Sequence, residues 1–158
     1  MRIEGFSPYV PQNARLLILG SFPSVKSREV SFYYGNPMNR FWGILAEAFG
    51  EPLPLSTENK SSLLDKHGIA LWDVVTSCNI VGSMDVDIKD PVIADVTSLV
   101  ARHGITHVIT NGKTAYNLLL RHHPDLVPMV TALPSTSPAN TRLDRAIWIE
   151  ALRKYAHG

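Results

Sequence analysis

The tightest constraint lies in one short run, Leu16-Leu17-Ile18-Leu19-Gly20. Successive side chains of a strand point to opposite faces, so four aliphatic residues in a row require cover on both. Continuous rather than alternating hydrophobicity marks a strand buried in a parallel sheet with helices on each side. The run stops at a glycine and continues as Ser21-Phe22-Pro23-Ser24. In an open parallel sheet, loops leaving the carboxyl ends of the strands are where ligands bind.

The rest of the chain supplies partners for that strand. Met1 to Asn13 reads as an N-terminal arm. Phe41 to Phe49 is apolar almost all round and reads as a buried helix stopped by Gly50. Ser61 to Lys66 suggests a short helix, Ile69 to Val75 a second buried strand, and Asn79 to Lys89 a long loop. Asp90-Pro91 has the cap and first-turn residues of a helix, followed by an apolar stripe of Val92, Ile93, Val96, Leu99 and Val100. Thr106 to Thr110 is expected as a third strand and Val127 to Leu133 as a fourth. A helix follows Asn111-Gly112, and another runs from Leu143 to Tyr155. Strands alternating with helices predict an α/β fold, a three-layer α/β/α sandwich around a mainly parallel four-stranded sheet. At 158 residues a single domain spanning 1–158 is expected.

Composition narrows the function classes. No apolar run approaches the roughly 20 residues that cross a bilayer, and no secretory signal core is present, so a cytoplasmic protein is expected. One cysteine, Cys78, excludes an internal disulfide and a thiolate cluster within the chain, and it reads as a buried thiol. The six histidines have no ligand spacing, so no metal and no cofactor are expected. Lysine and arginine total 15 against 14 acidic residues, a balance that predicts no general affinity for nucleic acid. A nucleic-acid site would have to come from local cations beside the loops: Lys26, Arg28, Arg40, Lys113, Arg142 and Arg145.

Five segments fall on the expected binding edge or next to it: Gly20-Ser21-Phe22-Pro23-Ser24, Tyr33 to Trp42, Leu71 to Val75, Asn111 to Ala115, and Ser135 to Asn140. In this order and spacing they resemble the uracil-DNA glycosylase superfamily, and within it the hypoxanthine-DNA glycosylase branch. The resemblance runs from about Leu16 to Tyr155. It implies the small α/β/α sandwich of that superfamily and removal of a deaminated base from DNA. Hypoxanthine is favoured over uracil. The nucleotide would be flipped out of the duplex into the cleft, as enzymes acting on bases require. A monomer with DNA as partner is expected.

The resemblance also implies roles. An asparagine placed like Asn39 serves catalysis, since an amide can accept from a water and donate to an anionic oxygen. Asn39 also stands just before a helix, where asparagine caps, and both roles are compatible. Relatives carry a polar catalytic residue at the third position of the first motif. Here that position is Phe22, which can only wall a pocket. Tyr34 is placed to stack on a flipped base, with Ser21 beside it. Asp73 and Asn111 could read the base or support the loops. Ser137 resembles a phosphate clamp, with Arg40 and Lys113 as DNA-binding cations. Relatives push a wedge side chain into the DNA from the second-motif loop, where this chain has only Ala139 and Asn140.

Two other classes remain open on the residues alone. Ser21 at a strand end could be the nucleophile of a small α/β esterase, although the glycine-x-serine-x-glycine elbow is absent. A non-catalytic module of the same fold could bind nucleic acid and release nothing.

Overall fold

Leu16–Gly20 is a strand (β2) in which every residue is buried, the four aliphatic side chains completely so. It pairs in parallel with Ile69–Asp73 (β3) on one side and His107–Asn111 (β6) on the other, and β6 pairs in parallel with Val130–Leu133 (β7). The order β3-β2-β6-β7 is the four-stranded parallel sheet expected. The computed structural model describes residues 2–80 and 88–157.

The alternation of β2 divides the core. Leu16 and Ile18 face helices Phe41–Phe49 (α2), Thr57–His67 (α3) and Arg145–Tyr155 (α6). Leu17 and Leu19 face Val96–His103 (α4) and Lys113–His122 (α5). Each aliphatic side chain so buried is worth about 1.5–3 kcal/mol, which fixes this strand at the centre. Gly50 ends α2 in the left-handed region at φ 64, as expected of a terminating glycine.

Several boundaries differ from expectation. Asp90-Pro91 does not open a helix. Ile88–Ile93 is a strand (β5) pairing antiparallel with Val75–Ile80 (β4), and β4 also pairs with Arg2–Glu4 (β1) in a second, three-stranded sheet. Between the pairs Ser77–Val92 and Asn79–Lys89 the β5 side carries an extra residue, and Asp90 has φ 49 there. A proline is tolerated at such a bulge on an edge strand, where no ladder hydrogen bond is lost. The helix starts instead at Val96, where the Asp95 carboxylate accepts from the Ser98 amide at 3.2 Å. The expected loop from Asn79 to Lys89 has strand at both ends, and its middle, 81–87, lies outside the described residues.

Other differences are smaller. The strand expected to reach Val75 stops at Asp73, and α3 starts four residues earlier than Ser61 because Ser56 caps it. Val127 lies in a 3-10 segment, Pro124–Met129, before β7 begins. The last helix begins at Arg145, after an Asp144 cap, rather than at Leu143. The polar stretch after Gly20 contains a short helix, Val25–Val30 (α1), capped by Ser24.

Candidate active site

Strands β2, β3 and β6 end at Gly20, Asp73 and Asn111, and the loops beyond them and beyond β7 enclose a cleft of about 570 Å³. Its walls hold Ser21, Phe22 and Lys26 from the first loop, Tyr34, Asn36 and Asn39 from the second segment, and Asp73 and Asn111 from the strand ends. Ser135 to Asn140 closes the remaining side. Segments scattered over more than a hundred residues of sequence thus meet at one edge of the sheet.

The floor is built by close approach. A Cβ on Gly20 would lie 2.5 Å from Asp73 Oδ1 and 3.2 Å from the Tyr34 hydroxyl oxygen. Only a glycine lets the carboxylate and the phenol close over the end of β2. Asp73 is buried, 5% exposed. Beside it the Tyr33 hydroxyl is pushed far above the usual phenol range, by burial first and then by the Asp73 carboxylate and Tyr34. Tyr33 therefore stays neutral, and its hydroxyl donates to the Ser7 carbonyl at 2.8 Å.

Tyr34 has φ 52, in the left-handed region where a bulky side chain is strained. Its ring stacks on Phe41, centroids 4.1 Å apart and planes 30° apart. Phe41 is completely buried, so it backs one face of the Tyr34 ring. Phe22 is half-buried; its ring lies over Gly5, with the Arg28 guanidinium 5.9 Å from the ring centre.

Asn39 lines the cleft beside the start of α2. Its Oδ1 accepts from the Phe41 amide at 2.9 Å, which ties it to the start of α2. A carbonyl oxygen has a second lone pair, and the side-chain nitrogen donates to no protein group among the described residues. Both remain for a ligand or a water. Asn39 itself is held by donation from its backbone amide to the Asn36 carbonyl at 2.8 Å.

Asn111 and Arg40 take parts that their residue types did not reveal. The Asn111 amide exchanges two hydrogen bonds with Thr136, Nδ2 to Oγ1 and Thr136 N to Oδ1, each 3.0 Å. Of the two roles open to it, supporting the loop is the one its bonds perform. Arg40 is engaged by protein carbonyls. Its Nε donates to the Thr136 carbonyl at 3.3 Å, and its Nη2 donates to the carbonyls of Ser137 and Asn140. The expected DNA-binding cation is thus engaged as a clamp on the Ser135–Asn140 loop.

That loop is tied at further points. Asn140 Nδ2 donates to the Ser135 carbonyl, Ala139 N to Ser137 Oγ, and Trp148 Nε1 to the Pro134 carbonyl. Thr136, fully buried at the meeting of Arg40 and Asn111, was not singled out by the sequence. Its only signal there was its place inside the second motif.

Among the cations, Lys26 lies on the cleft wall, 3.5 Å from Glu29. Lys113 is exposed at the start of α5, outside the cleft lining, and Arg145 is paired with Glu47 at 2.8 Å. Among the described residues that line the cleft there is no histidine, the base an esterase would set beside its serine. Among the described residues no group of three His, Cys, Asp or Glu side chains could hold a metal, and no helix is long and apolar enough to cross a membrane. Cys78 is buried, and burial pushes its thiol up.

The family model of the uracil DNA glycosylase superfamily matches residues 7–154. The chain belongs to the uracil DNA glycosylase superfamily. A hypoxanthine DNA glycosylase of Methanosarcina acetivorans is 37% identical over 146 residues, 90% of each chain. Another, of Methanosarcina barkeri, is 30% identical over 158 residues, covering 98% of this chain and all of the relative. A solution NMR structure from Methanosarcina acetivorans, described as a candidate uracil DNA glycosylase, superposes with a TM-score of 0.83. It is 34% identical, with 98% of both chains covered. The superfamily fold expected from the motifs is therefore the fold observed, and the cleft occupies the edge where those motifs converge.

Proposed function

We propose that this superfamily member is a monofunctional DNA glycosylase that hydrolyses the N-glycosidic bond of hypoxanthine in DNA. The observation that carries the reading is the convergence of Asn39, Tyr34 and Asp73 around one cleft large enough for a base. The relatives named hypoxanthine DNA glycosylase support the choice of base. The flipped purine stacks on the Tyr34 ring, an interaction worth about 1–3 kcal/mol. The Asp73 carboxylate accepts from the ring N–H that hypoxanthine has and adenine lacks. The bond from the sugar to the base then breaks, its electrons leaving with the base. A water held by Asn39 Oδ1 adds to the sugar carbon, its proton goes to the departed base, and an abasic site is left.

Phe22 carries no atom that could direct a water, so the leaving group must do more of the work. A purine can be protonated or hydrogen-bonded at N7 and a pyrimidine cannot, which favours hypoxanthine over uracil. Asn111 supports this site from behind through Thr136 rather than reading the base. The protein acts as a cytoplasmic monomer on DNA, without a metal or cofactor. The test is single-turnover base release from matched duplexes containing hypoxanthine or uracil, read as strand breakage after alkali. Faster release of uracil rejects the base assignment. Full activity in a folded Asn39→Ala protein rejects the catalytic one. Binding without breakage on either duplex leaves the non-catalytic module as the better reading.

A further inference from the structure

Met38 stands between two cleft residues, Asn36 and Asn39, yet 70% of its surface is open to water. It is presented on a fixed turn. Its backbone amide donates to Asn36 Oδ1 at 2.9 Å, the Asn39 amide donates to the Asn36 carbonyl at 2.8 Å, and Pro37 forms the corner. The turn thus spends side-chain and backbone hydrogen bonds on holding out an apolar side chain that gains no core contact. The neighbouring loop of Pro134 to Asn140, joined to this segment through Arg40, presents Ala139, exposed and small. Arg40, Asn111 and Trp148 hold that loop, so Ala139 has little freedom to reach further.

We propose that Met38 is the wedge that enters the duplex and fills the place of the flipped nucleotide. Removing a base from the stack leaves a slot bounded by two base faces. Proteins that unstack DNA fill such a slot with Phe, Leu, Ile, Met or Pro, offsetting the lost stacking. An unbranched, polarisable thioether suits it, because it can lie flat against either ring. Met38 supplies that volume from the segment that bears Asn39, where Ala139 on the neighbouring loop cannot. The side chain that holds the gap open is then one residue from the proposed catalytic amide, so insertion and delivery of the base to the cleft occur together.

This inference rests on the glycosylase reading, and the experiment separates the two. Met38→Ala and Met38→Leu are compared with the wild type on a hypoxanthine duplex and on the same strand with the target inside a preformed bubble. There the base is already unpaired and no wedge is needed. Met38→Ala is expected to slow release from the duplex at least about tenfold and from the bubble by less than about twofold, since unstacking dominates only the first. Met38→Leu is expected to restore most of the duplex rate. Unchanged duplex release by Met38→Ala, or equal loss on both substrates, overturns the proposal. If the wild type releases base from neither substrate, the glycosylase reading has failed. The wedge is then read from 2-aminopurine placed beside the hypoxanthine. Its fluorescence should rise on binding wild type and not on binding Met38→Ala, and equal rises overturn the wedge on their own.

Discussion

Removing the Arg40 side chain distinguishes a clamp from a phosphate contact. In Arg40→Ala the carbonyls of Thr136, Ser137 and Asn140 lose their guanidinium donors. Hydrogen bonds to a charged group are worth about 1.5–3 kcal/mol each, so the three together reach about 5 kcal/mol at the lower limit. The guanidinium is only half-buried, so water can re-bond the released carbonyls and roughly half of that is recovered. About 2 kcal/mol remains as the cost of holding the loop in its closed geometry. If turnover requires that geometry, single-turnover base release falls roughly 30-fold. Binding to a duplex with a non-cleavable abasic analogue, titrated at several salt concentrations, supplies the second reading. A phosphate contact would remove about 0.9 from the slope of log K against log salt. The clamp leaves that slope unchanged. Arg40→Lys should fail to rescue, because one ammonium on a flexible stem cannot span three fixed carbonyls. A slope reduced by about one with base release intact would refute the clamp and restore the phosphate role.

Three further outcomes are expected. Gly20→Ala drives a methyl into the Asp73 carboxylate at 2.5 Å. It should cost about 1–3 kcal/mol in thermal or denaturant unfolding and abolish base release, and a fully active, equally stable variant would contradict the floor described. Glu51 lies 2.7 Å from Lys66 and 3.0 Å from His67, and first Lys66, then His67, holds its carboxyl below the usual range. A depressed carboxyl contributes stability that is present above its unfolded pKa and lost as pH falls through the folded one, so Glu51→Gln should flatten the acid limb below about pH 4.5. Unchanged curvature there, measured by unfolding at a series of pH values, would sink this account. Lys26→Ala, on the cleft wall, should lower the salt slope of DNA binding by about 0.9, and an unchanged slope would remove Lys26 from the phosphate contacts.

The parallel sheet was legible because its central strand has no polar residue to spare. Leu16 to Leu19 can be satisfied only under two helical layers, and Phe41 to Phe49 announces one of them. The second sheet was illegible for a local reason. Asp90-Pro91 has the composition of a helix start, but the same pair also fits a bulge on an edge strand, and only the pairing of β4 with β5 decides between them. At the site, residue type announced which side chains gather but not what they bond. An arginine beside an expected DNA-binding loop looks alike whether it meets phosphates or carbonyls. The carbonyls that occupy Arg40 lie about a hundred residues away, beyond any local pattern. Asn111 is alike in this respect: its partner Thr136 sits on a different strand's loop.

The left-handed backbone of Tyr34 has a consequence for how this chain responds to selection. A bulky residue held there costs about 1–3 kcal/mol, which the free protein carries whether or not DNA is present. Glycine or asparagine would relieve that strain at once. A library screened for heat resistance alone should therefore return Tyr34→Asn only where this relief exceeds the loss of the Phe41 stack, about 0.5–1.5 kcal/mol beyond the buried area of the ring. Those clones would keep Phe41 but lose the aromatic plate stacked upon it, and with it the surface proposed to receive the base. Heat resistance and turnover would then diverge at a single codon.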